Sequence, residues 1–255
     1  MFQAHATRRI LPVFYVLDTS GSMEGESIEC LNAAMEETIL VLKDLAYHNG
    51  DALVKVAVLS FSSDVHWMQP EGPEDLEDFV WEPLKAGGFT YMGAAVRELS
   101  KRLTPEEYLK SYTGSLMPVI IFMTDGYAND DYKSEFKLAM QNGHFRNATR
   151  VGFAIGKSPD VEMLSLLTGS PDNVIQTDDL DQFSTLIKLV SATATKVASV
   201  THGTQQENLA PQIMDTAKRM VGMEENTTNA LPAEVSDGTM PIWDMSPVWD
   251  MSDPV

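Results

Sequence analysis

The sequence predicts an α/β protein: a doubly wound, mostly parallel sheet with helices on both faces and one antiparallel edge strand. Three observations carry that expectation. Two runs, Val13–Leu17 and Met117–Met123, are apolar at every position, as strands are when helices cover both of their faces. Between and around them, apolar residues recur at three- and four-residue steps, the period of an amphipathic helix, and strands alternating with such segments build parallel sheets. Both apolar runs also end abruptly in small oxygen-bearing side chains, Asp18-Thr19-Ser20-Gly21-Ser22 after the first and Thr124-Asp125-Gly126 after the second. In open α/β sheets ligands bind beyond the carboxyl ends of the strands, so the pattern that predicts the fold also predicts a site.

Taken in order, Val13–Leu17 reads as the central strand. Ile28, Leu31, Met35, Ile39, Leu42 and Leu45 then mark one amphipathic helix, with Asn49-Gly50 as a left-handed cap. Leu53–Phe61 and a short run around Val65–Met68 read as a hairpin that adds the antiparallel edge. Asp75–Trp81 reads as a short acidic helix stopped by Pro83. The glycine-rich stretch Gly87–Gly93 feeds a helix from about Ala94 to Leu103, with Val96, Leu99 and Leu103 inward. Thr104-Pro105-Glu106-Glu107 carries the signature of a capped helix start: Thr104 caps, Pro105 takes the first position and Glu107 reaches back to the cap. After the strand Met117–Met123, Asp130-Asp131 opens a helix to about Gln141, ended by Asn142-Gly143. Strand Arg150–Ile155, helix Val161–Leu167, strand Asn173–Gln176 and the closing helix Leu180–Val200 complete the domain. The expected organisation is a domain over 1–202, an amphipathic helical extension over 203–223 and an acidic, largely disordered tail over 224–255.

Composition excludes several classes. The chain has 255 residues, 44% of them hydrophobic, enough for one ordinary α/β domain with an extension. Its single cysteine, Cys30, rules out intramolecular disulfides and zinc sites built on several thiolates, and its place on the apolar side of a helix reads as a buried, inert thiol. The formal charge of −19 offers nucleic acid and anionic membranes no basic footprint, but suits cations and basic partner surfaces. Two arginines precede an apolar run too short to span a bilayer, and no small-residue cleavage site follows, so neither a signal peptide nor a membrane helix is read and a cytoplasmic location is expected.

Asp18, Ser20 and Ser22 occupy alternate positions of a tight loop and make half of a hard-cation site. Thr90 and Asp125, from other polar loops, supply the rest. Hydroxyls with one or two carboxylates form an incomplete oxygen sphere that suits Mg²⁺ or Mn²⁺, and Ca²⁺ less well, at roughly 2.0–2.2 Å with water completing the shell. Such a site leaves a position open for a partner's carboxylate. Asp18 and Ser20 alone would also serve to cap the next helix; a cap does not require the other three. Glu24, Glu26, Asp130 and Asp131 read as a solvated rim and as helix-start residues. The five histidines are scattered without ligand spacing.

A metal-dependent phosphatase or hydrolase is the competing class. A phosphatase with an aspartyl nucleophile needs a second acid two residues after Asp18, where Ser20 stands. No phosphate loop, dinucleotide fingerprint or nucleophile elbow is found. Metal-assisted hydrolysis also asks for more carboxylates and a placed base. No catalytic residue is assigned, and the protein is expected not to be an enzyme.

On DTSGS, the threonine of GGFTYMGAA and the aspartate of MTDG, the chain resembles von Willebrand factor A domains with a metal-ion-dependent adhesion site, found also in integrin I domains; the likeness runs from about Arg9 to Val200. The resemblance implies a Rossmann-like fold and a protein-interaction module. It implies that Ser20, Ser22 and Thr90 reach the ion directly or through water, while Asp18 and Asp125 act mostly through water and leave the ion electrophilic toward a partner's acidic group. The opening RRILPVFYVLDTSGSM is similar to bacterial intracellular members associated with tellurite resistance and stress. That narrower likeness implies a scaffold in a phosphorylation-linked system, with a kinase and phosphatase pair as partners.

The tail carries a duplication. Pro241-Ile242-Trp243-Asp244-Met245-Ser246 is followed at once by Pro247-Val248-Trp249-Asp250-Met251-Ser252. Trp243, Asp244, Trp249 and Asp250 are expected to bind a partner groove, or to reach the metal of a neighbouring copy, giving self-association or self-inhibition.

Overall fold

The apolar run that opens the chain becomes the middle of the sheet. In the computed structural model, which describes residues 9–48, 52–109, 115–200, 209–216 and 219, the elements are β1 (Arg9–Asp18), α1 (Glu26–His48), β2 (Ala52–Phe61), β3 (Val65–Trp67), β4 (Glu74–Asp75), α2 (Met92–Arg102), β5 (Val119–Thr124), α3 (Tyr132–Ala139), α4 (Gly143–Asn147), β6 (Thr149–Ile155), α5 (Val161–Thr168), β7 (Val174–Thr177) and α6 (Leu180–Val200). The sheet runs β3-β2-β1-β5-β6-β7, with β4 also on β2. β1 pairs in parallel with β2 on one side and β5 on the other. The chain therefore reverses its direction of travel across the sheet between β1 and β5, the switch point beside which ligands bind in open α/β sheets.

Period-two alternation splits β1 between two apolar layers. Leu11, Val13, Tyr15 and Leu17 face the layer of α1 and α6, while Phe14 and Val16 face that of α2 to α5. Where α5 crosses β6, Gly152 lets the helix come close: a Cβ there would stand 3.3 Å from both Leu164 and Thr168. Residues 210–216, within the expected extension, are helical, and Ala210, Ile213 and Met214 are buried in the α1–α6 layer. The tail residues Trp243, Asp244, Trp249 and Asp250 lie outside the described residues, as does Asn49-Gly50.

The expected antiparallel edge is present in two pieces. β3 pairs with Leu59–Phe61 of β2, and β4 pairs with Lys55 and Val56. Between them the Gln69 side chain accepts a hydrogen bond from Val58 N at 2.9 Å, in place of a backbone carbonyl. The Asp75–Trp81 helix does not form. Asp75 belongs to β4 and pairs with Lys55 at 3.0 Å, Leu76 N donates to Val54 O, and the chain then turns to bury Leu76, Phe79 and Trp81. Their spacing matches a helix; sheet pairing outcompetes it.

The helix expected at Thr104 is a run of turns. Its box cannot close because the Glu107 carboxylate is held by Arg102 at 3.0 Å. α3 ends at Ala139, and Asn142, expected to end that helix, begins another. Its Oδ1 accepts from His144 N and Phe145 N at the start of α4, while its Nδ2 donates to Ser100 O and Leu103 O at the end of α2.

Candidate metal centre

β1 delivers Asp18 to the carboxyl edge fully buried, and pairing with β5 brings Thr124 beside it. The Thr124 hydroxyl donates to Asp18 Oδ2 at 2.5 Å, and Ser20 N donates to Asp18 Oδ1 at 2.7 Å. Asp18 is thus fixed by its neighbours and shapes the loop after it. That loop makes a single turn over Gly21–Met23, anchored below by buried Met23 and above by Thr19, whose backbone and hydroxyl both donate to Phe61 O.

The second loop docks on the first through backbone. Gly21 N donates to Gly88 O at 3.0 Å, and Gly87 N donates to Thr19 O at 2.8 Å. Gly88 has φ of +87°, and a Cβ on it would fall 2.5 Å from Ser63 Oγ, so the close approach requires glycine. The third loop, after β5, closes the set. Ser22 Oγ donates to Asp125 Oδ1 at 2.7 Å across 103 positions of sequence, and the Ser20 and Ser22 hydroxyls lie 3.0 Å apart. A Cβ on Gly126 would stand 3.5 Å from Ser22 Oγ and 3.9 Å from Thr90 Oγ1, so both hydroxyls face one small space. The Thr90 hydroxyl has no hydrogen-bond partner among the described residues. All five residues expected from the sequence therefore meet in one place.

Asn129, which places Thr90, went unassigned in the sequence, and Asp130, read as starting the helix after it, serves a different helix. Asn129 Oδ1 accepts from Thr90 N at 2.7 Å, and Asn129 N donates back to Thr90 O at 2.8 Å. Asp130 accepts from Gly93 N and Ala94 N, both at 2.9 Å, and so caps α2 from outside that helix; it is Asp131 that caps α3 through Ser134 N. An acid just before a helix signals a cap, but nothing local says whose.

Burial raises the pKa of Asp18 above its ordinary value; hydrogen bonds from Thr124 and Ser20 lower it in part, and the nearby Asp125 raises it further. Burial raises Asp125 too, against the hydrogen bond from Ser22. Neither carboxylate is ion-paired among the described residues. One buried acid, Asp18, and one half-buried acid, Asp125, facing three hydroxyls with no basic side chain between them fit a hard divalent cation, whose charge would hold both ionised. Among the described residues there is no cluster of three or more His, Cys, Asp or Glu that could hold a metal, so a site here must depend on hydroxyls. Cys30 is half-buried, its thiol donating to Leu180 O at 3.2 Å and its pKa raised by burial, the setting of an unreactive thiol.

The family model described as the von Willebrand factor type A domain matches residues 13–189. The chain belongs to this family. A von Willebrand factor type A domain from Catenulispora acidiphila superposes with a TM-score of 0.54 at 16% identity, covering 73% of this chain and 43% of that one. The pilus adhesin SpaC from Lactobacillus rhamnosus GG, in its open conformation, gives 0.56 at 15% identity, over 74% and 30%. Proximal thread matrix protein 1 from the mussel byssus, in a structure with a zinc-occupied MIDAS motif, gives 0.52 at 17% identity, over 73% and 46%. At these identities the likeness shows the fold, and the chain spans less than half of each of these structures. No curated protein matches the sequence. No helix among the described residues is long and apolar enough to cross a membrane. Modules of this family are mainly adhesion and interaction domains that bind a divalent metal.

Proposed function

We propose that Asp18, Ser20, Ser22, Thr90 and Asp125 form a metal-ion-dependent adhesion site that holds Mg²⁺ or Mn²⁺, and that the domain is a non-catalytic module whose ion accepts a carboxylate from a partner protein. The observation that carries this is the Ser22–Asp125 hydrogen bond at 2.7 Å, which joins the loop after β1 to the loop after β5 with the Thr90 hydroxyl beside them. With hydroxyls nearest the space and the two acids held by hydrogen bonds, the ion would keep much of its charge and an open position for an incoming anion. The zinc in the mussel protein's site supports the reading that this architecture takes a divalent ion. The likeness of the opening segment to tellurite-resistance and stress-associated members supports a scaffold in a cytoplasmic, phosphorylation-linked system, with a kinase and phosphatase pair as partners.

Calorimetric titration of the full chain with Mn²⁺ tests the site. One ion per chain is expected, lost in Ser22→Ala and in Asp18→Ala. Unaltered binding in both variants would refute the assignment. For the partner, a pulldown with Mg²⁺ and with chelator should retain it only in the former.

A further inference from the structure

Two of the large apolar side chains left exposed on the described surface stand beside the candidate metal centre. Phe89 is 60% exposed and Tyr127 is 63% exposed. Phe89 lies between Gly88, whose carbonyl holds Gly21, and Thr90. Tyr127 follows Gly126, the position whose Cβ would touch the Ser22 and Thr90 hydroxyls. The Phe89 ring stacks on Tyr91 at 5.8 Å with planes 9° apart, which holds it as a flat shelf. Rings left in water next to an anion-accepting ion set the chemistry of what docks there: an acidic residue with a large aromatic neighbour.

The sequence contains that pair twice, as Trp243-Asp244 and Trp249-Asp250, each two positions after a proline. We infer that the ring surface of Phe89, Tyr91 and Tyr127 beside the metal site is the docking place of the chain's own Trp-Asp repeat, the indole lying on the rings and the Asp244 or Asp250 carboxylate taking the ion's open position. This rests on the metal-site reading above. Trp243 and Trp249 stand 24 and 30 positions beyond Arg219, the last described residue. A connection of that length reaches up to about 80 Å, against a domain about 40 Å across, so the repeat can meet the site of its own chain from any anchoring point. Intrachain docking then has an effective concentration in the millimolar range, which a second copy at ordinary concentration does not match.

Charge makes the ion obligatory. Residues 224–255 carry seven acidic residues and no Lys or Arg, in a chain of formal charge −19. Without a cation the tail and the acidic rim of the site repel; with one, they share it. A partner's carboxylate must then displace the repeat, and two copies keep the open position supplied when one leaves.

The test uses the full chain in Mg²⁺ or chelator and takes the difference in tryptophan emission. Wild type should shift to the blue by several nanometres with Mg²⁺. The shift should vanish in Trp243→Phe/Trp249→Phe and in Asp244→Asn/Asp250→Asn, shrink at least twofold in Phe89→Ser/Tyr127→Ser, and survive tenfold dilution with the chain monomeric by sedimentation. Because the tail supplies a ligand, Asp244→Asn/Asp250→Asn should weaken Mg²⁺ binding about tenfold by calorimetry. If Mg²⁺ binds but emission does not change, this inference fails and the site stands. If Mg²⁺ does not bind at all, the underlying reading fails. A shift that appears only with dimer or longer assemblies would assign the socket to a second copy and overturn the intrachain docking.

Discussion

The two faces of the sheet are held in different ways. On one, the long helices α1 and α6 bury aliphatic side chains against Leu11, Val13, Tyr15 and Leu17, and residues 210–216 add Ile213 and Met214 to the same layer. On the other, α2 to α5 are shorter, and their ends are satisfied by polar side chains: Asp130 for α2, Asp131 for α3, Asn142 for α4 and Asp160 for α5. The first face is stabilised mainly by apolar area, the second also by caps that lie in the loops between elements. One of those cap loops, Asp125 to Asp131, also frames the candidate metal centre. Stability and binding should therefore separate on one face and couple on the other.

The largest effect belongs to the apolar face. Ile187→Ala, at a fully buried position in α6, should cost about 3 kcal/mol in urea unfolding and leave the Mn²⁺ dissociation constant of the folded chain unchanged. A parallel loss of affinity would erase the distinction between the faces. Asp130→Ala should do the opposite of a pure core change: a moderate loss, about 2 kcal/mol from two orphaned N–H groups, together with weaker Mn²⁺ binding because the Thr90 loop is no longer pinned. Asn142→Ala, on the same face but away from the site, should cost about 1–2 kcal/mol with metal binding intact. It isolates capping from site geometry.

The smallest stability changes fall at the site itself. Thr90→Val keeps shape and removes a hydroxyl that bonds to nothing else described, so unfolding in chelator should move by under about 1 kcal/mol while Mn²⁺ affinity drops at least tenfold. The pH dependence has a definite sign. The folded-state values of Asp18 and Asp125 are raised above 3.8, so the folded chain binds protons more readily than the unfolded chain. In chelator their contribution should therefore raise stability as pH falls through the raised values toward 3.8. Saturating Mg²⁺ should cancel that gain, since the ion takes the place of the protons. Urea midpoints across pH 4 to 7 with and without the metal decide it.

Legibility from sequence followed the range of the interactions. Strand Val13–Leu17, the helix from Ile28 to Leu45 and the closing helix Leu180–Val200 were readable because periodicity is a local property of neighbouring side chains. The five candidate residues were readable as three polar loops following or flanking strands. That Ser22 meets Asp125 was not written in either loop; it comes from β1 and β5 being neighbours in the sheet. Asp75 shows the limit most plainly. Its segment has helical spacing, yet Lys55 and Val54 on β2 recruit it to the edge.

By itself, then, the sequence specified the α/β class, the positions of most strands and helices, and the oxygen-only donor set of the candidate site, since burial pattern and donor type are properties of the residues in place. The tertiary structure alone decided which acid caps which helix, where Asn129 grips Thr90, how the edge strand divides around Gln69, and that Phe89 and Tyr127 are left exposed to water. Each of these depends on a partner more than ten positions away, and such partners are chosen by strand order and packing.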